Sequence, residues 1–508
     1  MSSTPSPGLR PTPRLAVPTT AVGRLRVRQL DPASASSLAD DLPLAPTLYV
    51  GDTLLLAGSP ARGASKGVSR LASLAERLGY TLDVGEDRSA PIARRGDLGK
   101  HHERATHTRV RLRRSAASVT PALDAWDVLQ HLRSTDRAVA AQVQLDHVVV
   151  SAGYGDGVGY GDGVGYGDGV GYGDGVTSGD GASGPWGSSA SRGPATWLGP
   201  VPPPPPDDGP VVAIVDTGLG RHPWFEHGVE RTPQIDGLPI WPSPDPATDP
   251  EDRGVTTDPL VGRLDRVAGH GTFIAGLVRQ VCPEATLLPI AAMPGDGAAA
   301  ESELLAALEA LTLRHLHALK TGTARPIDVV VLSWGYYHET PGSFDDENAL
   351  IRALRTLTDA GVTVVAAAGN SATATPFYPA ALGGQLTSGA PLVAVGARNP
   401  GPGTVSTYSN TGDWVTTYRP GTRVVSTLPV TLDAAGRPSE EHTPTGLPTR
   451  GSVDPDLFSS GFGTWTGTSF AAPVLAGEIA RTLGEGGNAG ARIERGRAAL
   501  ARCLEVQP

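Results

Sequence analysis

The chain has little cysteine and no long apolar segment. Its 508 residues include only two cysteines, Cys282 and Cys503, which are too few to indicate an oxidising compartment and lie in no metal-ligand spacing. We predict that Cys282 is a buried free thiol, and a disulfide between the two cysteines stays open as the alternative. No run approaches the roughly 18 consecutive apolar residues that a membrane-spanning helix needs, so no membrane partner is expected.

An excess of basic residues and an apolar leader are also missing. The 42 basic and 52 acidic side chains give a formal net charge of −10, which gives no reason to expect nucleic acid as a partner. The first 40 residues combine proline, serine and threonine with five arginines, whereas a signal peptide needs a continuous apolar core. We therefore expect a cytoplasmic protein, with secretion by a leaderless route as the alternative.

Three short segments each place one reactive side chain among glycines or other small residues, where a substrate backbone can come close. They are Val211-Val-Ala-Ile-Val-Asp216-Thr-Gly218, Gly269-His270-Gly271-Thr272 and Gly467-Thr468-Ser469-Phe-Ala-Ala-Pro473. A serine hydroxyl attacks a carbonyl poorly unless an imidazole removes its proton, and that imidazole needs a carboxylate to hold its tautomer. Asp216, His270 and Ser469 supply these three groups.

A fourth segment adds a possible oxyanion donor. The apolar run 364–369 ends at Asn370, whose side-chain amide can donate a hydrogen bond to an oxyanion. Each of the four motifs taken alone is more often a loop or a helix cap. Together, and in the chain order Asp, His, Ser, they indicate a catalytic site.

This set of motifs resembles the subtilisin-like serine peptidases (subtilases, peptidase family S8) over roughly residues 209–505. Further matches are Phe377-Tyr-Pro-Ala380, Val393-Ala-Val-Gly-Ala397 and Ser406-Thr-Tyr-Ser409. The resemblance implies a serine endopeptidase, a hydrolase acting on peptide bonds. In it Asp216 orients the imidazole, His270 is general base and then general acid, and Ser469 forms the acyl-enzyme. The resemblance also implies that Asn370 is the side-chain donor of the oxyanion hole.

A cleft for the substrate backbone follows from the same resemblance. Ser333, Trp334 and Gly335 resemble the strand that pairs with the substrate, while Ala367 and Gly369 resemble the opposite wall of the primary pocket. These small, uncharged walls suggest an apolar or aromatic side chain before the scissile bond. Trp334 has the alternative interpretation of a packing residue. A protein or peptide substrate is the expected partner.

Strands alternate with helices in the same region. The unbroken apolar run 211–215 predicts a strand buried on both faces, with Asp216 at its carboxyl end, where open α/β sheets place their sites. Residues 327–333 and 361–367 repeat this pattern, and helical spacing precedes each of them at 301–319 and 347–357. We predict a doubly wound, mostly parallel α/β sheet of the subtilisin type. Ser469 would then stand at a helix N-terminus, where the helix dipole favours negative charge.

The first 208 residues divide into three parts. Residues 1–40 are predicted to be a disordered arm, and residues 151–208 a flexible glycine- and proline-rich linker that contains four copies of Gly-Tyr-Gly-Asp-Gly-Val. Residues 41–150 show strand and helix patterns in the order βαββαβ, which predicts a small α+β domain, possibly ferredoxin-like. Subtilases commonly carry a propeptide of this topology, so the domain is expected to inhibit in cis or to assist folding. A module that binds another partner is the alternative.

No cofactor or metal is expected. Residues 271–289 run directly from helix to strand, without the loop that supplies a tight calcium site in familiar subtilisins. The acidic, proline-rich residues 221–265, which include Asp249, Glu251 and Asp252, are predicted to form a solvated loop at the rim of the cleft. Calcium bound by this loop or by the repeats is the alternative.

Two functions of other classes stay open. One is a catalytically silent scaffold that keeps the fold as a binding surface, against which the complete set of triad and oxyanion residues argues. The other is a protease effector that a binding N-terminal domain recruits to its target.

Overall fold

The computed structural model describes residues 12–505, apart from residues 14, 36–42, 61–64, 116–122, 153–191, 198, 343–345, 402 and 485–486. The glycine-rich repeats, predicted to be a tether, lie outside the described residues. Both cysteines are free and buried, which confirms the thiol predicted for Cys282. No helix in the described part of the chain is both long enough and apolar enough to cross a membrane.

The N-terminal part of the chain forms a small α+β domain. Its helices and strands in chain order are α1 (Thr19–Leu25), β1 (Val27–Leu30), β2 (Thr47–Ala57), α2 (Ser65–Arg77), β3 (Tyr80–Val84), α3 (Ala90–Arg95), α4 (Gly99–Ala105), β4 (His107–Arg114), α5 (Ala125–Thr135), α6 (Arg137–Ala140) and β5 (Val143–Ser151). Strands β5, β2, β4 and β3 are neighbours in that order, and every pair is antiparallel. This is the ferredoxin-like arrangement predicted from the βαββαβ order.

The N-terminal arm differs from the prediction of disorder. Helix α1 and strand β1 are formed within it, and β1 pairs antiparallel with the first half of β2. Ala21 is fully buried in a small apolar cluster that also contains Val148 of β5 and Ala298 of the second domain. Arg24 donates to both carboxylate oxygens of Asp296, at 2.8 and 2.9 Å, and to the Ala298 carbonyl at 2.7 Å. Because these contacts are tertiary, the local composition gave no sign of them.

The remainder of the chain forms a larger α/β domain. Its elements in chain order are β6 (Gly193–Pro194), β7 (Val211–Asp216), β8 (Gln234–Ile235), β9 (Leu238–Pro239), α7 (His270–Val281), β10 (Thr286–Ala291), β11 (Ala298–Ala300), α8 (Glu301–Thr321), β12 (Val329–Leu332), β13 (Trp334–Gly335), α9 (Ala349–Asp359), β14 (Thr363–Ala367), β15 (Leu392–Arg398), β16 (Thr417–Pro420), β17 (Val424–Thr427), β18 (Glu441–His442), β19 (Arg450–Gly451), β20 (Phe462–Trp465), α10 (Thr468–Thr482) and α11 (Ala489–Glu505). Short 3₁₀ turns lie at Pro223–Phe225 and Ala380–Gly384.

Six parallel strands form the centre of this domain. They lie side by side in the order β10, β7, β12, β14, β15 and β16. Val211, Ala213 and Val215 of β7 pack under α8 and α9, whereas Val212 and Ile214 pack under α7 and α10 on the opposite face. Because both faces are covered, the central strands β7 and β12 consist almost entirely of apolar residues. The sheet is the doubly wound α/β fold that the sequence predicts.

The two domains share a sheet. The end of β5 pairs antiparallel with β11 and with β13, so these short strands of the larger domain extend the sheet of the N-terminal domain to seven strands. Val149 of β5 is fully buried in the core of the larger domain, and Val148 is buried on the opposite face beneath the arm. The end of β5 is therefore enclosed by a strand at each edge and by side chains on both faces.

Candidate active site

Asp216 is the last residue of β7 and lies at the carboxyl edge of the parallel sheet. Its carboxylate is buried, and Oδ1 lies 2.7 Å from Nδ1 of His270. The Thr217 N–H also donates to Oδ1, at 2.8 Å. A carboxylate accepts hydrogen bonds, so the ring proton belongs on Nδ1 and leaves Nε2 free to take another. The sheet edge thus sets the tautomer of the imidazole.

His270 is the first residue of α7. The preceding Gly269 has a φ of 79°, and a Cβ at that position would lie 2.6 Å from the side chain of Leu428, so glycine is required for this helix start. The imidazole is fully buried, and its centroid lies 5.5 Å from that of Trp465 and 5.2 Å from that of Phe470. These two rings fix the imidazole plane.

Ser469 is the second residue of α10 and is fully buried. Its hydroxyl donates to the carbonyl oxygen of Ser333 at 3.3 Å, while Nε2 of His270 faces the hydroxyl of Ser151 at 3.4 Å. Ser469 and His270 therefore lie at the same sheet edge, with the serine hydroxyl bonded to Ser333.

Asn370 follows strand β14 and points its amide into the cleft. Its Oδ1 accepts from the N–H and the hydroxyl of Thr468, at 2.9 and 2.8 Å, which fixes the orientation of the amide. The Nδ2 group then donates to the carbonyl oxygen of Ala152, the residue that follows β5. An amide donor held in this way can stabilise negative charge on that carbonyl oxygen.

The cleft backbone holds the end of β5 as a third strand between β11 and β13. Trp334 pairs with Ser151, and the Ala152 N–H donates to the Ser333 carbonyl at 2.8 Å. The cleft therefore binds an extended chain through main-chain hydrogen bonds, the mode expected for a peptide that adds a strand to a sheet edge.

The other residues predicted to bind substrate serve different purposes. The Trp334 side chain is buried in the core and donates its indole N–H to Val215 O at 3.0 Å, so only its backbone lines the cleft. Its interpretation as a packing residue fits this position. Ala367 is fully buried in β14. Gly369 has a φ of 94° and donates its N–H to Thr468 Oγ1 at 3.1 Å, which directs the chain toward Asn370.

Sequence reasoning missed the second cleft strand and the occupant of the cleft. Strand β11 consists of three alanines directly before a long helix, and such a run resembles a helix start. One signal for the occupant was available, because a nine-residue strand, β5, ends one residue before the glycine-rich repeats. Because β5 ends so close to the predicted flexible linker, its last residues could reach the cleft of the catalytic domain.

Residues 207–495 match the family model described as the subtilase family, Peptidase_S8, and the match covers more than half of the chain. The chain belongs to the subtilase family. The minor extracellular protease Epr of Bacillus subtilis (strain 168) is 28% identical to this subtilase over 186 residues, which are 35% of this chain and 25% of that protein. The chain thus spans about a quarter of the length of that relative.

Solved structures similar to this subtilase include two subtilisin relatives. Fervidolysin from Fervidobacterium pennivorans, a keratinolytic enzyme related to subtilisin, is 15% identical, with 89% of this chain and 58% of that chain covered and a TM-score of 0.44. A cold-adapted subtilisin-like serine proteinase is 21% identical, with 57% of this chain and 81% of that chain covered and a TM-score of 0.35.

The acidic loop of this subtilase is not wholly solvated. Glu251, predicted to lie in a solvated rim, is fully buried beside Thr217 and the start of α7. Burial raises the pKa of Glu251 to about 7, although hydrogen bonds from Thr217 and Thr272 act in the opposite direction. An acid in a proline-rich loop is normally exposed, so the burial of Glu251 could not be predicted from the sequence.

Buried charges join the two domains of the subtilase. His147 of β5 is fully buried, with Nδ1 2.8 Å from Glu301 and Nε2 2.8 Å from Glu339. Burial opposes the charged imidazole, but the hydrogen bonds to Glu301 and Glu339 outweigh it and raise the pKa of His147 to about 10. His147 is therefore an imidazolium at neutral pH, bridging two carboxylates of the larger domain.

Two groups within the described ranges have side chains close enough together to hold a cation. One is His147 with His338 and Glu339, and the other is His102 with Asp87 and Glu309. In each group a histidine ring nitrogen is hydrogen-bonded to carboxylates, the arrangement of a protonated imidazole.

The His147 bridge predicts a pH-dependent contribution to stability. Because its folded pKa lies above the ordinary value of about 6.5, the contribution is complete below pH 6.5 and is lost as pH rises through about 10. We expect His147→Gln, made in a Ser469→Ala chain to prevent self-digestion, to lower the free energy of unfolding by about 3 kcal/mol at pH 6. The loss should shrink steadily toward pH 10 in thermal unfolding.

His131→Gln is the matched control, because this histidine lies on the surface of α5 and bonds only the Asp127 carbonyl. It should change the unfolding temperature little at any pH. A His147→Gln loss of equal size at pH 6 and pH 10 would show that the bridge is not charged.

Proposed function

We propose that this subtilase is a serine endopeptidase that hydrolyses peptide bonds through an acyl-enzyme on Ser469. The observation that carries the proposal is the position of Ala152 in the cleft. Its carbonyl oxygen accepts from Asn370, and its N–H donates to the Ser333 carbonyl. A carbonyl held by an amide donor beside a buried serine is the geometry that acyl transfer needs.

The reaction follows from the four groups. Ser469 Oγ attacks the carbonyl carbon and gives its proton to Nε2 of His270, and Asp216 stabilises the imidazolium that forms. Asn370 donates to the oxyanion of the tetrahedral intermediate. The intermediate breaks its C–N bond as His270 returns the proton to the leaving amine. Water then attacks the acyl-enzyme as His270 takes its proton. The bond between the acyl carbon and Ser469 Oγ breaks as His270 returns that proton to Oγ, which releases the carboxylic acid and restores the serine.

We also propose that the N-terminal domain inhibits this site in cis. The end of β5 pairs with both strands that flank the cleft, so a second peptide has no strand edge to pair with there. In this proposal the bond between Ala152 and Gly153 is the site of self-cleavage. The primary pocket then accepts a small apolar side chain before the scissile bond, because the buried Ala152 side chain occupies that position.

The first prediction concerns the triad. Ser469→Ala or His270→Ala should each reduce turnover by about 10⁶, a magnitude taken from subtilisin itself, because removal of either group stops the transfer of the hydroxyl proton. Peptide hydrolysis by the purified chain measures this effect, and labelling of Ser469 by a fluorophosphonate probe reports the active fraction. Full activity of either variant would contradict the assignment.

The second prediction concerns metal. We propose that catalysis needs no cofactor, because side chains carry every proton transfer and the sequence lacks the calcium loop of familiar subtilisins. Activity and unfolding temperature should be unchanged after dialysis against EDTA. Loss of either in EDTA, with recovery on adding calcium, would place an ion in the acidic loop or in the repeats.

The third prediction concerns self-cleavage. Mass spectrometry of the purified chain should find a fragment that begins at Gly153, and the Ser469→Ala chain should stay intact. Ala152→Pro removes the N–H that bonds Ser333 and should prevent the cut at this bond.

Deletion of residues 1–200 should either raise peptidase activity or prevent folding. A truncated chain that folds, with unchanged kinetics, would favour a recruiting role for the domain.

A further inference from the structure

Glu251 is a buried carboxylate that the proposed reaction does not use. It belongs to the acidic loop between β9 and α7, yet its exposed surface is 0%. The loop holds it inward, because the backbone N–H of Glu251 donates to Asp249 Oδ1 at 2.9 Å. A buried carboxylate is expensive unless hydrogen bonds or charges compensate it, so its partners indicate what it is for.

Those partners are the two segments that carry Asp216 and His270. Oε1 accepts from the hydroxyl of Thr217, the residue after Asp216, and from the Gly271 N–H at 3.0 Å, the residue after His270. Oε2 accepts from the hydroxyl of Thr272 at 2.5 Å. One carboxylate therefore joins the end of β7 to the first turn of α7, the two elements whose relative position sets the Asp216–His270 hydrogen bond.

The hydroxyl of Thr217 lies between two carboxylates and has one proton to give. It contacts Oε1 of Glu251 closely and lies 3.2 Å from Oδ1 of Asp216. Oδ1 already accepts from His270 and from the Thr217 N–H, and Oδ2 has no hydrogen-bond partner among the described residues. The destination of the Thr217 proton thus decides whether Asp216 receives a further hydrogen bond.

The protonation state of Glu251 controls that destination. When Glu251 is ionised it accepts the Thr217 proton, and Asp216 keeps its charge for the imidazole. When Glu251 is protonated on Oε1, it becomes a donor to Thr217 Oγ1, which also accepts from the Gly271 N–H at 2.8 Å, and the Thr217 proton turns to Asp216 Oδ1. A carboxylate that accepts an additional hydrogen bond is less basic and stabilises a neighbouring imidazolium less.

Charged groups on the surrounding elements also act on Glu251. Asp249 of the same loop and Asp216 of β7 disfavour its ionised form, whereas Arg192 before β6 and Arg231 before β8 favour it. Burial has the largest effect and places the pKa of Glu251 at about 7, close to the ordinary value of a histidine.

We propose that Glu251 is a positioning residue of the triad, which accepts the Thr217 proton and so leaves the Asp216 carboxylate free to stabilise the His270 imidazolium. The inference rests on the proposed serine peptidase function. Its consequence is that two groups, Glu251 and His270, must both be deprotonated for full activity. The acid side of the pH profile should then fall with two protons instead of one.

The test compares four full-length chains, namely the wild type, Glu251→Gln, Glu251→Asp and Asp252→Asn, from pH 5 to pH 9. In the wild type, log kcat/KM should approach a slope of two over the pH range in which Glu251 titrates and return to a slope of one below it. Glu251→Gln imitates the protonated state, so kcat/KM at pH 8 should fall about tenfold, and the slope should become one.

The two remaining variants separate charge from structure. Glu251→Asp keeps the charge on a shorter side chain, so the slope of two should persist with a shifted midpoint. Asp252→Asn is the matched control, since it removes a charge from the next residue, whose carboxylate bonds Arg221 at 3.3 Å. It should keep the wild-type profile. A one-proton profile in Glu251→Asp would contradict the inference even if Glu251→Gln does not fold.

A readout independent of turnover completes the test. In the Ser469→Ala chain, the downfield proton NMR signal of the Asp216–His270 hydrogen bond should shift with pH through the titration of Glu251, and Glu251→Gln should abolish that shift. A slope and midpoint unchanged in Glu251→Gln, with only a lower unfolding temperature, would reduce Glu251 to a structural residue. A wild-type chain that neither cleaves itself nor hydrolyses a peptide substrate would instead contradict the proposed peptidase function, while the NMR comparison would still decide the role of Glu251.

Discussion

The rest of this structure depends on two short edge strands whose backbone groups need hydrogen-bond partners. Strands β11 and β13 flank the cleft, and each presents N–H and C=O groups that need partners. The end of β5 supplies those partners from the N-terminal domain. The position of Ala152 at Asn370, the shared sheet and the enclosure of β5 all follow from this pairing.

The larger domain depends on the same contact for one of its helix ends. Helix α8 has no side-chain cap of its own at Ala300, but Asp146 of β5 accepts from the N–H and the hydroxyl of Ser302, each at 2.9 Å. Farther along α8, the buried Glu309 bonds Ser89 and His102 of the N-terminal domain. Without that domain, α8 would lose an N-terminal cap and the partners of a buried carboxylate. These contacts suit a domain that assists folding as well as one that fills the cleft.

Features set by local pattern could be predicted from the sequence, and features set by tertiary contact could not. The strand that ends at Asp216 is predictable because a run buried on both faces is continuously apolar, and the position of Ser469 follows from the apolar helix behind it. Strand β11 was not predictable, because its conformation comes from pairing with β5 and its alanines have no strand preference. The burial of Glu251 and of helix α1 was unpredictable for the same reason. An acidic loop and a proline-rich arm become buried only through tertiary contacts with other segments.

The N-terminal arm constrains how the end of β5 could leave the cleft. Helix α1 lies over the outer face of β5 and is fastened by Arg24 to Asp296, whose carboxylate is 2% exposed. The strand beneath cannot leave the cleft toward solvent while that helix is in place, and its inner face is bound to the core. Under the proposed inhibition in cis, the arm therefore has to lift before the strand can unpair. The lifetime of the inhibited form would then be a kinetic property of the arm, separate from the affinity of the strand for the cleft.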